Sequence, residues 1–148
     1  MSAFGQIILH LHFFSTTKKT LLRDLNYRIY LPEATTRCLV NDGKWSILLQ
    51  KDQLKAELKE GCIFKGWQEE EIDFAPTYKY YPDSDDYYGC SQNGKRGKSR
   101  APAWCDRIIW FGKGLKQSQY NRSEFRLSDH RPVRAIFTAE VKVPSPLY

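Results

Sequence analysis

Apolar and polar positions along the chain change rhythm several times, and each change predicts an element. Ile7 to Phe14 is an apolar run broken by His10 and His12. Thr20 to Leu25 carries β-forming residues and predicts a short strand ending at Asp24. After Pro32, residues Glu33 to Val40 read as a helix that stops at the turn signal Asn41-Asp42-Gly43. Trp45, Leu48, Leu49, Leu54 and Leu58 then recur at roughly helical spacing, with Gly61 as a C-terminal stop, and their plain reading is core. From Phe74 to Gly97 the chain is rich in Tyr, Pro, Asp and Gly, which predicts long ordered loops. Two strands follow. One is Trp104 to Phe111; the other lies in Pro132 to Val143, where a run through Ile136 and Phe137 gives way to the alternating Glu140-Val141-Lys142-Val143. The tail Pro144 to Tyr148 is expected to fray.

With no internal repeat, 148 residues read as one domain or part of one, long enough to bury a core without disulfides. The run Ile7 to Phe14 has no preceding Lys or Arg and makes a poor secretory leader. No apolar run reaches the length of a membrane helix. Cys38, Cys62, Cys90 and Cys105 lie far apart, with no C-x-x-C pair, and read as reduced thiols of an intracellular protein. A net charge of +6 and a pI near 9.1 favour anionic partners, whether nucleic acid, anionic lipid or a phosphorylated small molecule. Charge alone does not choose among them. Much of the excess sits in Lys95, Arg96, Lys98 and Arg100, a run whose plain reading is a solvated loop.

Three segments hold acid, amide, base and guanidinium groups at expected strand ends or loops: Asp24-Leu25-Asn26-Tyr27-Arg28, Pro102-Ala103-Trp104-Cys105-Asp106-Arg107 and Ser128-Asp129-His130-Arg131-Pro132. In an extended segment Asp24 and Asn26 point the same way, towards one phosphate. Phosphate ester hydrolysis needs a group to orient water, a cation for oxygen charge and donors around the phosphoryl group. These residue types supply them, although each segment alone reads as an ordinary turn or surface pair.

Together, DLNYR, TYKY, PAWCDRI and SDHRPV, in this order between Asp24 and Phe137, resemble the inositol polyphosphate 5-phosphatase family, especially its plant members. The resemblance implies an α/β fold, a partial two-sheet sandwich of the DNase I-like endonuclease/exonuclease/phosphatase type with flanking helices. It divides the chain into a divergent N-terminal segment, residues 1–20, the C-terminal part of the catalytic domain, residues 21–143, and a tail, residues 144–148. It implies hydrolysis of the 5-phosphate of phosphatidylinositol 4,5-bisphosphate or of soluble inositol polyphosphates, with Mg2+ as cofactor. Asp24 would act as base or orient water, and Asn26 would hold the phosphoryl group. His130 would stabilise the transition state, with Asp129 fixing its tautomer or contacting metal. Asp106 and Arg107 would support the site, Arg107 on the substrate side. Tyr78-Lys79 and Lys98-Ser99-Arg100 match the elements that bind the 4-phosphate in the family, with Arg28 contributing; Lys95 and Arg96 stay solvated surface. Partners follow as a phosphoinositide or inositol phosphate, with peripheral contact to anionic membrane, a cytoplasmic location and no nucleic acid.

Two departures qualify the resemblance. Arg23 stands where the family has glycine, which threatens the placement of Asp24. Only 23 residues precede Asp24, and none matches the family's early Asn and Glu magnesium ligands or its mid-domain His. Impaired turnover is therefore expected, with a catalytically dead inositol phosphate binding module as the alternative. A nuclease is the third reading, disfavoured by TYKY and KSRAPAW.

Overall fold

Threonines and paired leucines before Asp24 suit a pleated strand, and this stretch lies at the centre of a three-stranded sheet. The computed structural model describes residues 8–13, 16–89 and 100–141. Strand β1 (Ile8–Phe13) pairs antiparallel with β2 (Thr16–Asp24), and β2 pairs antiparallel with β3 (Asp106–Phe111). The expected strand end at Asp24 is present, in a longer strand than predicted. A second, two-stranded sheet is formed by β4 (Leu115–Arg122) and β5 (Val133–Ala139), antiparallel with an irregularity between Gln117 and Gln119. Strand β3 also lies against β5.

Among the described residues, three short helices lie between β2 and the loops that precede β3. Helix α1 (Glu33–Asn41) starts after Pro32, and Thr36 donates from its backbone and its hydroxyl to the Pro32 carbonyl, at 2.9 and 3.1 Å. The expected single helical region from Trp45 to Gly61 is two helices, α2 (Trp45–Leu49) and α3 (Gln53–Glu60), because Asp52 begins a new one. Its carboxylate accepts the Lys55 N–H at 2.9 Å, an N-cap. Gly61 ends α3 in the left-handed conformation, φ 68°, where glycine carries no Cβ penalty.

Leu48, Leu49, Val40, Ile72, Phe74, Trp104 and Ile108 build the core under these helices. Trp104 is wholly buried and donates its indole N–H to the Phe74 carbonyl at 2.9 Å, so a large apolar ring enters the core with its polar atom satisfied. Between the sheets a cavity of about 450 Å³ is lined by Leu22, Ile108, Leu115, Val133 and Phe137, with Lys18 and Arg134 among its other walls. Ile108 and Val133 end two of the motifs, but none of the predicted site residues lines it. Among the described residues no helix is long and apolar enough to cross a membrane.

The expected loops hold from Phe74 to Gly89. They are ordered by an irregular hairpin, in which Tyr88 N–H donates to Lys79 O at 2.7 Å, Tyr81 N–H donates to Asp86 O at 2.9 Å, and Tyr80 faces Tyr87. Cys90 to Ser99, Lys98 among them, and the tail from Lys142 lie outside the described residues.

Candidate active site

Residues 77–80 are gripped from both sides. Tyr78 N–H donates to Ala103 O at 3.1 Å and Ala103 N–H returns a bond to Tyr78 O at 2.9 Å. On the other side, Tyr80 N–H donates to Asp129 O at 2.9 Å and Arg131 N–H to Thr77 O at 2.8 Å. TYKY thus forms a central rung between PAWCDR and SDHRPV. Strand pairing adds the fourth motif: Asp24 lies opposite Asp106 in the β2–β3 register, and Leu25 N–H donates to Cys105 O at 2.8 Å. Four segments distant in sequence therefore meet at one edge of the three-stranded sheet.

The chemistry centres on His130. Its Nδ1 lies 2.9 Å from Asp106 Oδ2, and the same oxygen accepts the Thr77 hydroxyl at 2.8 Å. The Tyr78 ring packs against the imidazole with centroids 4.5 Å apart. Burial opposes a charged imidazole, but the hydrogen bond and charge of Asp106, with the charges of Asp24 and Asp129, outweigh it and raise the His130 pKa. The expectation that Asp129 fixes the His130 tautomer is corrected: Asp106 contacts Nδ1, whereas Asp129 pairs with Lys79 Nζ at 3.0 Å. Burial works to raise the Asp129 pKa, yet Lys79 and His130 bring it below its ordinary value. The bond to Asp129 correspondingly raises Lys79.

Asp24 and Asn26 are neighbours, but not on one side of an extended strand as predicted. The strand stops at Asp24, and Asn26 takes the left-handed conformation, φ 55°, which Asn tolerates better than most residues. Its backbone N–H donates to Asp24 Oδ1 at 2.8 Å, and its side-chain oxygen accepts from Arg28 Nη2. The Arg28 guanidinium lies 4.7 Å from the Tyr78 ring centroid, a cation–π contact that holds it beside the His130 pair. Arg23 is an exposed residue within β2 and does not interrupt the pairing of Asp24 with Asp106.

Lys79 extends past Tyr78 and Tyr88, 5.6 and 5.1 Å from their centroids. Arg100 is exposed, and its position is fixed through its carbonyl. Arg37 Nη2, on α1, donates to Arg100 O at 3.1 Å and to Tyr88 O at 2.8 Å, joining the two flanks of the 89–100 stretch.

Arg107 is corrected outright. Its side chain is 0% exposed and donates to both oxygens of Asp52 at 2.9 Å and to Glu69 at 2.7 and 2.5 Å. Tyr120 adds a hydroxyl bond to Glu69 at 3.0 Å. With its donors engaged and no surface exposed, Arg107 offers nothing to a substrate. Next to it, burial pushes the Cys105 thiol up to about 12, leaving it neutral and unreactive.

As a metal centre the described residues do not suffice. No group of three or more His, Cys, Asp or Glu among them is arranged to hold a metal ion, and Asp129, the expected ligand, is already engaged by Lys79. What they do form is an imidazole backed by a carboxylate that raises its pKa and flanked by Asp24, Asn26, Arg28 and Lys79, a set suited to a phosphoryl group. Sequence reasoning named Asp106 only as support and missed Thr77. The signal for Asp106 was available, since adjacent strand residues face opposite ways and only one of Asp106 and Arg107 can face His130.

Known proteins resemble this chain in sequence and in fold. The model of endonuclease/exonuclease/phosphatase family 2 matches residues 6–136. Type IV inositol polyphosphate 5-phosphatase 9 of Arabidopsis thaliana is 63% identical over 122 residues, covering 82% of this chain and 29% of the relative. Type I inositol polyphosphate 5-phosphatase 1 of the same plant is 54% identical over 125 residues, 84% of this chain and 21% of the relative. The chain thus spans less than a third of the length of these relatives. Among solved structures, the inositol polyphosphate 5-phosphatase domain of SPsynaptojanin, in complex with inositol (1,4)-bisphosphate and a calcium ion, superposes with a TM-score of 0.75 at 34% identity, covering 84% of this chain and 35% of that one. Cimex nitrophorin, a ferrous NO complex, superposes at 0.71 with 30% identity, covering 84% and 42%. The same fold therefore serves different chemistry, and the side chains around His130 must carry the functional reading. With the expected two-sheet α/β architecture present and the motifs assembled at one edge, the chain belongs to endonuclease/exonuclease/phosphatase family 2.

Proposed function

We propose that this chain supplies the phosphate-binding and proton-handling part of an inositol polyphosphate 5-phosphatase site, acting on the 5-phosphate of phosphatidylinositol 4,5-bisphosphate or of a soluble inositol polyphosphate. The observation that carries the reading is the His130–Asp106 pair, with Lys79 held alongside it through Asp129. In this reading the charged imidazole neutralises phosphoryl oxygen as charge builds there, and Asp106 keeps its proton on the ring. Asp24 orients the attacking water and Asn26 holds a phosphoryl oxygen. Lys79, Arg100 and Lys98 take the neighbouring ring phosphate, with Tyr78 and Arg28 forming the wall between the two positions. The relative solved with inositol (1,4)-bisphosphate supports this choice, because that ring carries a 4-phosphate and no 5-phosphate. Magnesium, the cation implied by the resemblance, requires ligands beyond the described residues, since near-octahedral geometry needs more anchoring than one engaged carboxylate. The net positive charge suits transient contact with anionic membrane from the cytoplasmic side.

The engagement of Asp129 by Lys79 also favours a second reading, a module that binds the same headgroup without turnover. One assay separates the readings: phosphate release from inositol 1,4,5-trisphosphate with magnesium, beside cleavage of plasmid DNA. Release that is lost in His130→Ala and Asp24→Ala supports the enzyme. Headgroup binding without release supports the module. DNA cleavage in preference to both contradicts the proposal.

A further inference from the structure

Lys79 is aimed by a hairpin, and something must hold that hairpin. We propose that Arg131, which the functional reading does not use, is the positioning residue that sets the preference for a second ring phosphate. The inference rests on the reading that Lys79 contacts that phosphate.

Arg131 follows His130 directly and is 0% exposed. Its backbone N–H donates to Thr77 O at 2.8 Å, at the start of the hairpin segment. Its guanidinium lies 3.9 Å from the Tyr80 ring centroid, the shortest of the cation–π contacts in the described structure. The same group donates to the Ser84 carbonyl at the hairpin tip and reaches Asp85 at 3.5 Å. A single side chain thus ties the tip and the Tyr80 face to the His130 segment.

Arg122 secures the base separately, donating to Ala75 O, Pro76 O and the Tyr80 hydroxyl. Tyr80 stacks on Tyr87 at 4.3 Å, and Tyr88, the next residue, lies under Lys79 Nζ. Fraying of the hairpin beyond Tyr80 therefore displaces Tyr88 and with it the Lys79 side chain that lies against it, while the Tyr78 backbone stays paired to Ala103 and His130 stays held by Asp106 from β3. Arginine is specific for this task. Its planar fork stacks on a ring and bonds a carbonyl at once, and lysine retains the charge but does neither as well.

The test is calorimetric titration of inositol (1,4)-bisphosphate and inositol 1-phosphate into the wild-type chain, Lys79→Ala, Arg131→Lys and the double variant, with amide hydrogen exchange reporting the fold. Arg131→Lys is expected to weaken bisphosphate binding about tenfold and leave monophosphate binding within about twofold, with the double variant no weaker than Lys79→Ala alone. Exchange should accelerate at Tyr80, Tyr81 and Tyr88 and not at Ile108 or Ile109. If Arg131→Lys does not fold, Tyr80→Leu removes the face beneath the guanidinium and carries the same expectation. Equal weakening of both ligands, or losses that add in the double variant, overturns the inference and leaves Arg131 a purely structural residue. If Lys79→Ala binds the bisphosphate like wild type, or the wild-type chain binds neither ligand, the phosphate reading fails and the inference falls with it.

Discussion

Asp106 and Arg107 are consecutive residues of β3 and meet opposite fates. Asp106 faces the sheet edge where TYKY and SDHRPV converge, and its carboxylate serves Thr77 and His130. Arg107 faces inward to Asp52, Glu69 and Tyr120 and has no exposed surface. One side is open and holds spare hydrogen-bonding capacity; the other is closed and fully paired. Capacity left over at a half-buried site is what a ligand can use, whereas a closed network of charges fixes strand, loop and helix start with respect to each other.

Removing the charge on the closed side should have the largest effect. Arg107→Met leaves Asp52 and Glu69 buried without a counter-charge and is expected to cost about 3–5 kcal/mol in urea unfolding. Adding Glu69→Gln should recover part of that loss. If Arg107→Met instead folds normally and loses only headgroup affinity, the assignment of Arg107 to the framework is wrong and the substrate role returns.

On the open side the order reverses. Lys79→Ala should leave stability nearly unchanged, since its pair with Asp129 is partly exposed and worth about 1 kcal/mol or less. It should cost ~1.5–3 kcal/mol in binding of a 4-phosphorylated inositol headgroup. Arg100→Ala should act in the same direction. A variant pair that loses stability and retains affinity would erase the contrast between the two sides.

The smallest effect is expected from Asp106→Asn, read through pH. The folded-state pKa of His130 is raised, so its contribution to stability is complete below the ordinary imidazole value and is lost as pH rises through the raised one. Asp106→Asn should lower the His130 pKa, shift that loss to lower pH and cost roughly 1 kcal/mol at mildly acid pH. An NMR titration of the His130 ring, with urea midpoints across the neutral range, reads both. An unchanged pKa would mean that Asp106 is not the partner that holds the proton.

The sequence carried the elements with strong local signals. Asp24 as a strand end, the helix after Pro32, the stop at Gly61 and most of the strand expected over Trp104 to Phe111, which begins at Asp106, follow from β-formers, Pro and Gly, whose conformational limits act through local backbone geometry. Strand β4 gave no such signal. Leu115-Lys116-Gln117-Ser118-Gln119-Tyr120 is polar by composition, and Gln117 is buried there as well as Leu115 and Tyr120. The Gly112-Lys113-Gly114 turn between β3 and β4, with both glycines at positive φ, was the available hint of a second strand. Motif recognition gathered most of the site, but it transferred residues singly and did not resolve which face each one takes. The motif therefore puts Arg107 on the substrate side, where the structure buries it, and offers Asp129 as a tautomer-fixing partner for His130 where Asp106 contacts Nδ1. Asn26 escaped the extended reading because its left-handed backbone is set by the Asp24 and Arg28 bonds, not by strand alternation.

A single phosphate site, formed by four separated motifs with Arg107 behind it, underlies all of these expectations. It is tested most directly by titrating isotopically labelled chain with inositol (1,4)-bisphosphate and following side-chain and backbone resonances. His130, Lys79, Arg28 and Arg100 should shift together along one saturable curve, while the Arg107 guanidinium and Tyr120 stay in place. Shifts at Arg107 with none at His130, or two groups of residues saturating at different concentrations, would contradict it.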